Sequence, residues 1–336
     1  QDIFQYPTVR EVVPLLREIQ KSTNQIEASK SSLDRLYPVS HSQRRLWIIE
    51  QFDTVGALYH IPSQFEFESV DPVALKQAFL KLVERHEVLH TVFDMKQGEP
   101  VQKVLSLDVF HLDWEVSTLS GENWEEKMTG VAQKTLIHPF DLQEGPLFRS
   151  HLVKKPDGSY TFLFCIHHII ADAWSMQVVK RDLLALYQEI VSQETGNLPE
   201  LAIQYKDFAG WQKEQSQENK MEASKAFWLN HLQGEIPITN LPTDYLRPSV
   251  KQYDGCIVRK SISEELSASI HKYSQERGSS VYISLLSALQ VLLYKYTEQD
   301  EIILGSPISG RDLPHLEDQI GFYVITLALK LRSHAS

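Results

Sequence analysis

The sequence predicts an α+β fold, an α/β sandwich of two lobes. Three observations carry this. Runs with strand periodicity and runs with helix periodicity intermix along the chain. The run Phe162–Ile166 is apolar on both faces, as a central strand covered on both sides must be. And 336 residues are enough for two lobes with a core between them.

The elements follow in order. Residues 7–19 are expected to be helical: Pro7 suits an early helix position, and Val9, Val12, Val13, Leu16 and Ile19 recur at helical spacing. Residues 20–35, "QKSTNQIEASKSSLDR", are polar with weak periodicity and make a linker, so a new domain begins near Tyr37. In "DPVALKQAFLKLVERHEVL" Asp71 can cap a helix, Pro72 fits its first turn, and Leu75, Phe79 and Leu82 form one stripe. "FRSHLVKKPDGSYTFLFCIHHII" reads as two strands around a turn at Pro156-Asp157-Gly158. After Asp172 the period changes: Met176, Val179, Leu183, Leu186 and Ile190 repeat by three and four, the mark of an amphipathic helix. Further helices are expected at 222–232, 263–276 and 280–296, and strands at 254–261, 301–305 and 322–331. No short-period repeat is present.

Composition narrows the function. Acidic residues outnumber basic ones 44 to 33, for a formal charge of -11, which disfavours nucleic acid as a ligand because phosphate binding needs a basic face. Cys165 and Cys256 are the only cysteines and are far apart, so neither a disulfide framework nor a cysteine-built zinc site is expected, and a reducing, cytoplasmic compartment fits. No apolar run approaches the roughly 18 residues of a spanning helix, so no membrane partner is expected. The chain opens "QDIFQYPTVREV", with no initiator methionine and no signal-peptide pattern, and is expected to be a piece of a longer polypeptide.

The chemistry concentrates in "CIHHIIADAWSM", residues 165–176. Successive side chains of a strand point to opposite faces, so if the strand extends through both histidines, His167 and His168 cannot play the same part. One faces a packed layer, and the other can face an opening. Asp172 falls in the connection to the next helix, where it can cap that helix or support the site. A metal site is a rival, since His and Asp four apart could share a helix face. The strand-to-helix break separates them, however, and no third ligand lies nearby, so no metal is expected.

"HHIIADAWS" resembles the HHxxxDG signature of condensation domains in nonribosomal peptide synthetases, members of the chloramphenicol-acetyltransferase-like group. Four further segments resemble that family's motifs, in family order: "SHSQRRLW" at 40–47, "RHEVLHTVF" at 85–93, "YKDFAGW" at 205–211 and "SPISGRDLPHLEDQIGFYVITL" at 306–327. The resemblance spans about residues 37–332. "DIFQYPTVREV" is similar to the last helix of a peptidyl carrier protein.

The resemblance implies two chloramphenicol-acetyltransferase-like lobes in a V around a central tunnel. It implies a carrier tail at 1–22, a linker at 23–36, an N-terminal lobe at 37–215 and a C-terminal lobe at 216–336, the last incomplete because the family's remaining C-terminal motifs are missing. The implied activity is peptide-bond formation: the amine of a downstream carrier-bound aminoacyl thioester attacks an upstream carrier-bound acyl thioester. The domain itself would bind no cofactor; 4'-phosphopantetheine arms of upstream and downstream peptidyl carrier domains would deliver the substrates, and an adenylation domain would adjoin.

By the same resemblance His168 is the catalytic histidine, acting as general base or by orienting the amine and steadying the tetrahedral intermediate. His167 and Asp172 would be supports, Asp172 pairing with Arg311. Arg45 matches the first motif's arginine, more a scaffold residue than a chemical one. Ala173, Trp174, Ser175 and Ile325 are candidates for the tunnel wall. Three departures stand out: Ala173 replaces a glycine, Ile325 an asparagine and His90 an arginine. They point to an unusual substrate or relaxed activity. Heterocyclisation domains carry D-x-x-x-x-D instead of the histidine pair and are excluded; epimerisation domains match less well at 40–47 and 306–327. "SHSQRRLW" resembles the type joining an L-configured donor to an L acceptor. Two alternatives stand beside this: a coenzyme A-dependent acyltransferase, against which the carrier-like tail argues, and a degenerate domain that only docks carriers or recruits a partner.

Overall fold

The computed structural model describes residues 26–29, 36–52, 56–194, 196, 198–217, 221–246, 248–249 and 255–332. The expected helix at 7–19, the carrier tail at 1–22 and most of the linker lie outside these. Within the linker, Ile26 is buried against the core, and the Ser29 amide and hydroxyl donate to Asp207 Oδ1 at 2.9 and 2.5 Å.

The first strand is β1 (Leu36–Pro38), followed by α1 (His41–Phe52). Ser40 and Gln43 close a capping box at the start of α1. The Gln43 amide donates to Ser40 Oγ at 3.1 Å, and the Ser40 amide donates to Gln43 Oε1 at 3.0 Å, so two donors of the first turn are satisfied reciprocally. Then come β2 (His60–Phe67), α2 (Pro72–Arg85), β3 (Thr91–Lys96), β4 (Glu99–Val104), β5 (Trp114–Thr118), α3 (Trp124–Ile137), β6 (Phe148–Lys154), β7 (Tyr160–His167) and α4 (Ala173–Ser192). Asp71 caps α2, accepting from the amides of Val73 and Ala74, and Pro72 occupies its first turn, as expected.

The central sheet has the order β2-β7-β6-β5, antiparallel except for the parallel pair β5/β6. Pro62 is tolerated because β2 is an edge strand. Along β7 the pleat sorts the side chains. Phe162, Phe164 and Ile166 join Phe79 of α2 and Val179, Leu183 and Leu186 of α4 in the main core. Leu163, with Val153 of β6, meets Trp124, Met128 and Val131 of α3 on the opposite face. The strand is thus covered on both sides, as its composition demands. A second sheet, β1-β4-β3, flanks this unit.

Next is α5 (Tyr205–Gln217), so the lobe boundary expected at 215/216 lies in the last turn of a helix. The later part holds α6 (Glu222–His231), α7 (Glu264–Glu276), α8 (Val281–Thr297) and the antiparallel pair β8 (Glu301–Ile308) and β9 (Ile325–Arg332). Their bounds agree with expectation to within a few residues, but the strand expected at 254–261 is absent: residues 255–261 pair with no described strand, and Ile257 and Val258 are exposed. A short apolar run such as residues 256–258 forms a strand only where a partner supplies hydrogen bonds. Ile283, Leu285 and Val291 of α8 are likewise exposed.

Candidate active site

The strand β7 ends at His167, and the two histidines diverge there. His167 is buried; its Nδ1 accepts from the Ile169 amide at 3.1 Å and its Nε2 lies 3.2 Å from Glu50 Oε1. His168 stands in the turn beyond the strand, with its amide donating to the Tyr59 carbonyl at 2.8 Å and its ring half-buried. Among the described residues no group meets its buried Nδ1 in good hydrogen-bond geometry, and Phe322 packs against the imidazole with ring centroids 4.6 Å apart. Burial pushes the His168 pKa below its ordinary value and neighbouring His167 adds to this; Asp172 and the carbonyls of His168 and Ala171 partly oppose it. The imidazole is therefore neutral near pH 7.

Asp172 joins two distant parts of the chain. As N-cap of α4, its Oδ1 accepts from the Ser175 amide at 2.8 Å and from Arg311 Nη2 at 3.1 Å, while Oδ2 accepts from the amides of Tyr323 and Val324 at 3.1 and 3.2 Å. Both side chains of the Asp172–Arg311 pair are almost fully buried. Arg311 also donates to the carbonyls of Leu316 and Gln319 and lies 4.2 Å from the Tyr323 ring centroid. The segment after Arg311 is thereby tied beside α4, and Phe322 is carried onto His168.

The other candidates divide. Ser175 does not line an opening: it is completely buried, and its Oγ sits among Asp172, Arg311 and both backbone groups of Gly321. A hydroxyl between a carboxylate and a guanidinium is a cross-link, which is why the expectation of a wall residue fails. Trp174 is 45% exposed and ties α4 to the same segment by donating from Nε1 to the Glu317 carbonyl at 2.9 Å. Ala173 and Ile325, the first residues of α4 and β9, are exposed. Arg45 is exposed on α1, and the Asp172 cluster does not include it. His90 is buried, with its Nδ1 2.6 Å from the Leu105 carbonyl and its ring against Phe110.

Residues that sequence reasoning did not place in the site complete it. Gln43 is wholly buried and donates from Nε2 to the Ile169 carbonyl at 3.1 Å. Tyr205 donates its hydroxyl to the Phe322 carbonyl at 2.7 Å, with Ser40 Oγ also in reach at 2.8 Å. Gly321 has a steric reason: a Cβ there would come within 2.0 Å of the Tyr205 ring. Burial raises the Cys165 thiol to about 12, which leaves it unsuited as a nucleophile. Among the described residues no cluster could hold a metal ion, and no helix is long and apolar enough to cross a membrane.

Comparison with known proteins adds an independent line. The family model "Condensation domain" matches residues 34–336. Gramicidin S synthase 2 of Aneurinibacillus migulanus is 37% identical over 329 residues, covering 98% of this chain but only 7% of its own length. Two solved structures share the fold: the X-domain from teicoplanin biosynthesis (24% identity, TM-score 0.79, covering 93% of this chain and 68% of that one) and the first condensation domain of the calcium-dependent antibiotic synthetase (18% identity, TM-score 0.73, covering 90% and 70%).

Proposed function

Because the chain belongs to the condensation-domain family of nonribosomal peptide synthetases, we propose that it forms a peptide bond between two carrier-bound substrates. An amine on a downstream carrier attacks the thioester carbonyl on an upstream one. The C–N bond forms, the C–S bond breaks, the sulfur leaves on its pantetheine arm, and the proton that the amine loses ends on that sulfur as the free thiol. L-configured donor and acceptor, neighbouring carrier and adenylation domains, and a cytoplasmic location belong to the same reading.

The observation that carries it is the divergence of the histidines: His167 turned into the packed layer, His168 half-buried beyond the strand end. A thioester is already activated, so holding two tethered reactants together can supply about 7–11 kcal/mol of the barrier. A neutral imidazole offers the amine a hydrogen-bond acceptor. Its lowered basicity favours orienting the nucleophile over abstracting its proton early. Asp172 and Arg311 hold the wall opposite the imidazole and touch no reacting atom in this scheme.

The test is His168→Ala in the full-length protein, with mass spectrometry of the intermediates on both neighbouring carriers. Loaded carriers without an extended product are expected. Undiminished product would overturn the catalytic reading and favour a domain that only docks carriers.

A further inference from the structure

We infer that Glu50, which lies outside every segment that resembles a family motif, is a positioning residue for His168, acting through the tautomer of His167. This rests on the proposed role of His168 and goes beyond it, since nothing in the resemblance or the comparisons assigns Glu50.

The geometry starts from one backbone group. The Ile169 amide points at His167 Nδ1 at 3.1 Å, and an N–H can only donate, so Nδ1 must present its lone pair. The ring proton of His167 then sits on Nε2, 3.2 Å from Glu50 Oε1, and donates to it. In the other tautomer Nδ1–H would face the Ile169 N–H, two donors without an acceptor. Glu50 therefore selects the tautomer that the turn needs. The turn matters because His168 lies between the two bonded residues.

A second anchor comes from the same helix. Gln43 and Glu50 are seven residues apart on α1, two turns along one face. Gln43 Nε2 holds the Ile169 carbonyl at 3.1 Å, so both polar groups of Ile169 are fixed, one by Gln43 directly and the other through His167 by Glu50. Glu50 does not serve the helix. It lies in the last turn of α1, where the macrodipole disfavours a carboxylate and where no basic residue offsets it. It is only 18% exposed and its side chain is turned to His167.

The test compares Glu50→Gln and Glu50→Ala in the full-length protein. Gln keeps a carbonyl oxygen to accept from Nε2–H; Ala keeps nothing. For Glu50→Ala, kcat of condensation is expected to fall about 10- to 100-fold with KM for the loaded carriers little changed, because misplacement of a reacting group acts on the chemical step. Glu50→Gln should stay within about threefold of the parent by the same reasoning. Hydrogen exchange read by mass spectrometry should accelerate across residues 167–171 in Glu50→Ala and not in Glu50→Gln. Equal loss in both variants, or unchanged exchange and kcat in Glu50→Ala, overturns the inference. His168→Ala runs alongside: if it leaves product intact while exchange still accelerates in Glu50→Ala, the role of His168 has failed and the tautomer contact stands.

Discussion

Arg311 reaches across 139 residues of sequence to place Nη2 3.1 Å from Asp172 Oδ1, both side chains buried. Removing one partner of such a pair leaves an uncompensated buried charge, so Arg311→Ala is expected to cost about 3–5 kcal/mol in urea unfolding. Lysine should restore only part of this, since a point charge cannot also reach the Leu316 and Gln319 carbonyls that the guanidinium fork spans. A loss below about 1 kcal/mol for Arg311→Ala would mean that the pair is solvated and unimportant.

Phe322 covers one side of the His168 ring and contributes to the burial that lowers its pKa. Phe322→Ala admits water and should move the His168 pKa up towards 6.5. The neutral imidazole is then lost at a higher pH, so the acidic limb of the condensation rate against pH should shift to higher pH. A limb shifted to lower pH, or not shifted, would show that Phe322 does not set the solvation of this ring.

The sequence made part of this site legible and hid the rest for physical reasons. The divergence of His167 and His168 is expected from the pleat of a strand running through both, but β7 ends at His167 and the turn that begins at His168 is what parts the two rings; a capping aspartate at Asp172 follows from the change of period. The Asp172–Arg311 pair was expected from motif resemblance, not from spacing, because an ion pair between distant loops leaves no periodic trace. Gln43 and Glu50 are hidden for the same reason: the long-range hydrogen bonds of Gln43 to Gln102 and Ile169, and of Glu50 to His167, start from an otherwise ordinary helix. Ser175 was misjudged because a serine beside a reactive motif looks identical whether it lines a channel or cross-links a strut. The strand expected at 254–261 fails because strand formation depends on a partner that local sequence does not reveal.

Tyr205 should matter through one oxygen. Its hydroxyl is buried and donates to the Phe322 carbonyl, with Ser40 Oγ beside it. Tyr205→Phe leaves buried polar groups without this partner, at an expected cost of about 1–3 kcal/mol in unfolding free energy. Since the carbonyl belongs to the residue that packs on His168, the condensation rate should drop as well. Lost stability with an unchanged rate would separate the hold on Phe322 from the chemistry.

Acid should unfold this protein in a window set by its buried histidines. Burial lowers the pKa of His60, His86, His90, His151 and His168 below 6.5. The unfolded chain binds protons near pH 6.5 that the folded chain refuses, so stability is full above that pH and falls as pH drops through it. His86 shows the cause most directly. It is buried with Nε2 2.9 Å from Asp182 Oδ2, and Asp182 also takes hydrogen bonds from Arg85 and Arg181. Burial opposes ionisation of Asp182, but its bonds and the charges around it win and hold the carboxyl below its usual range. Its own contribution is therefore lost only as pH falls below about 4, a separate and lower window. Each histidine fully refusing its proton adds about 1.4 kcal/mol per pH unit to the slope below pH 6.5. Urea unfolding at pH 7.5, 6.5 and 5.5, about one pH unit apart to span that window, should show a plateau and then a steep decline. His86→Gln, which keeps a donor for Asp182, should lower the slope by up to one proton. A stability flat from pH 7.5 to 5.5 would mean that these rings are protonated in the folded protein and that burial does not govern them.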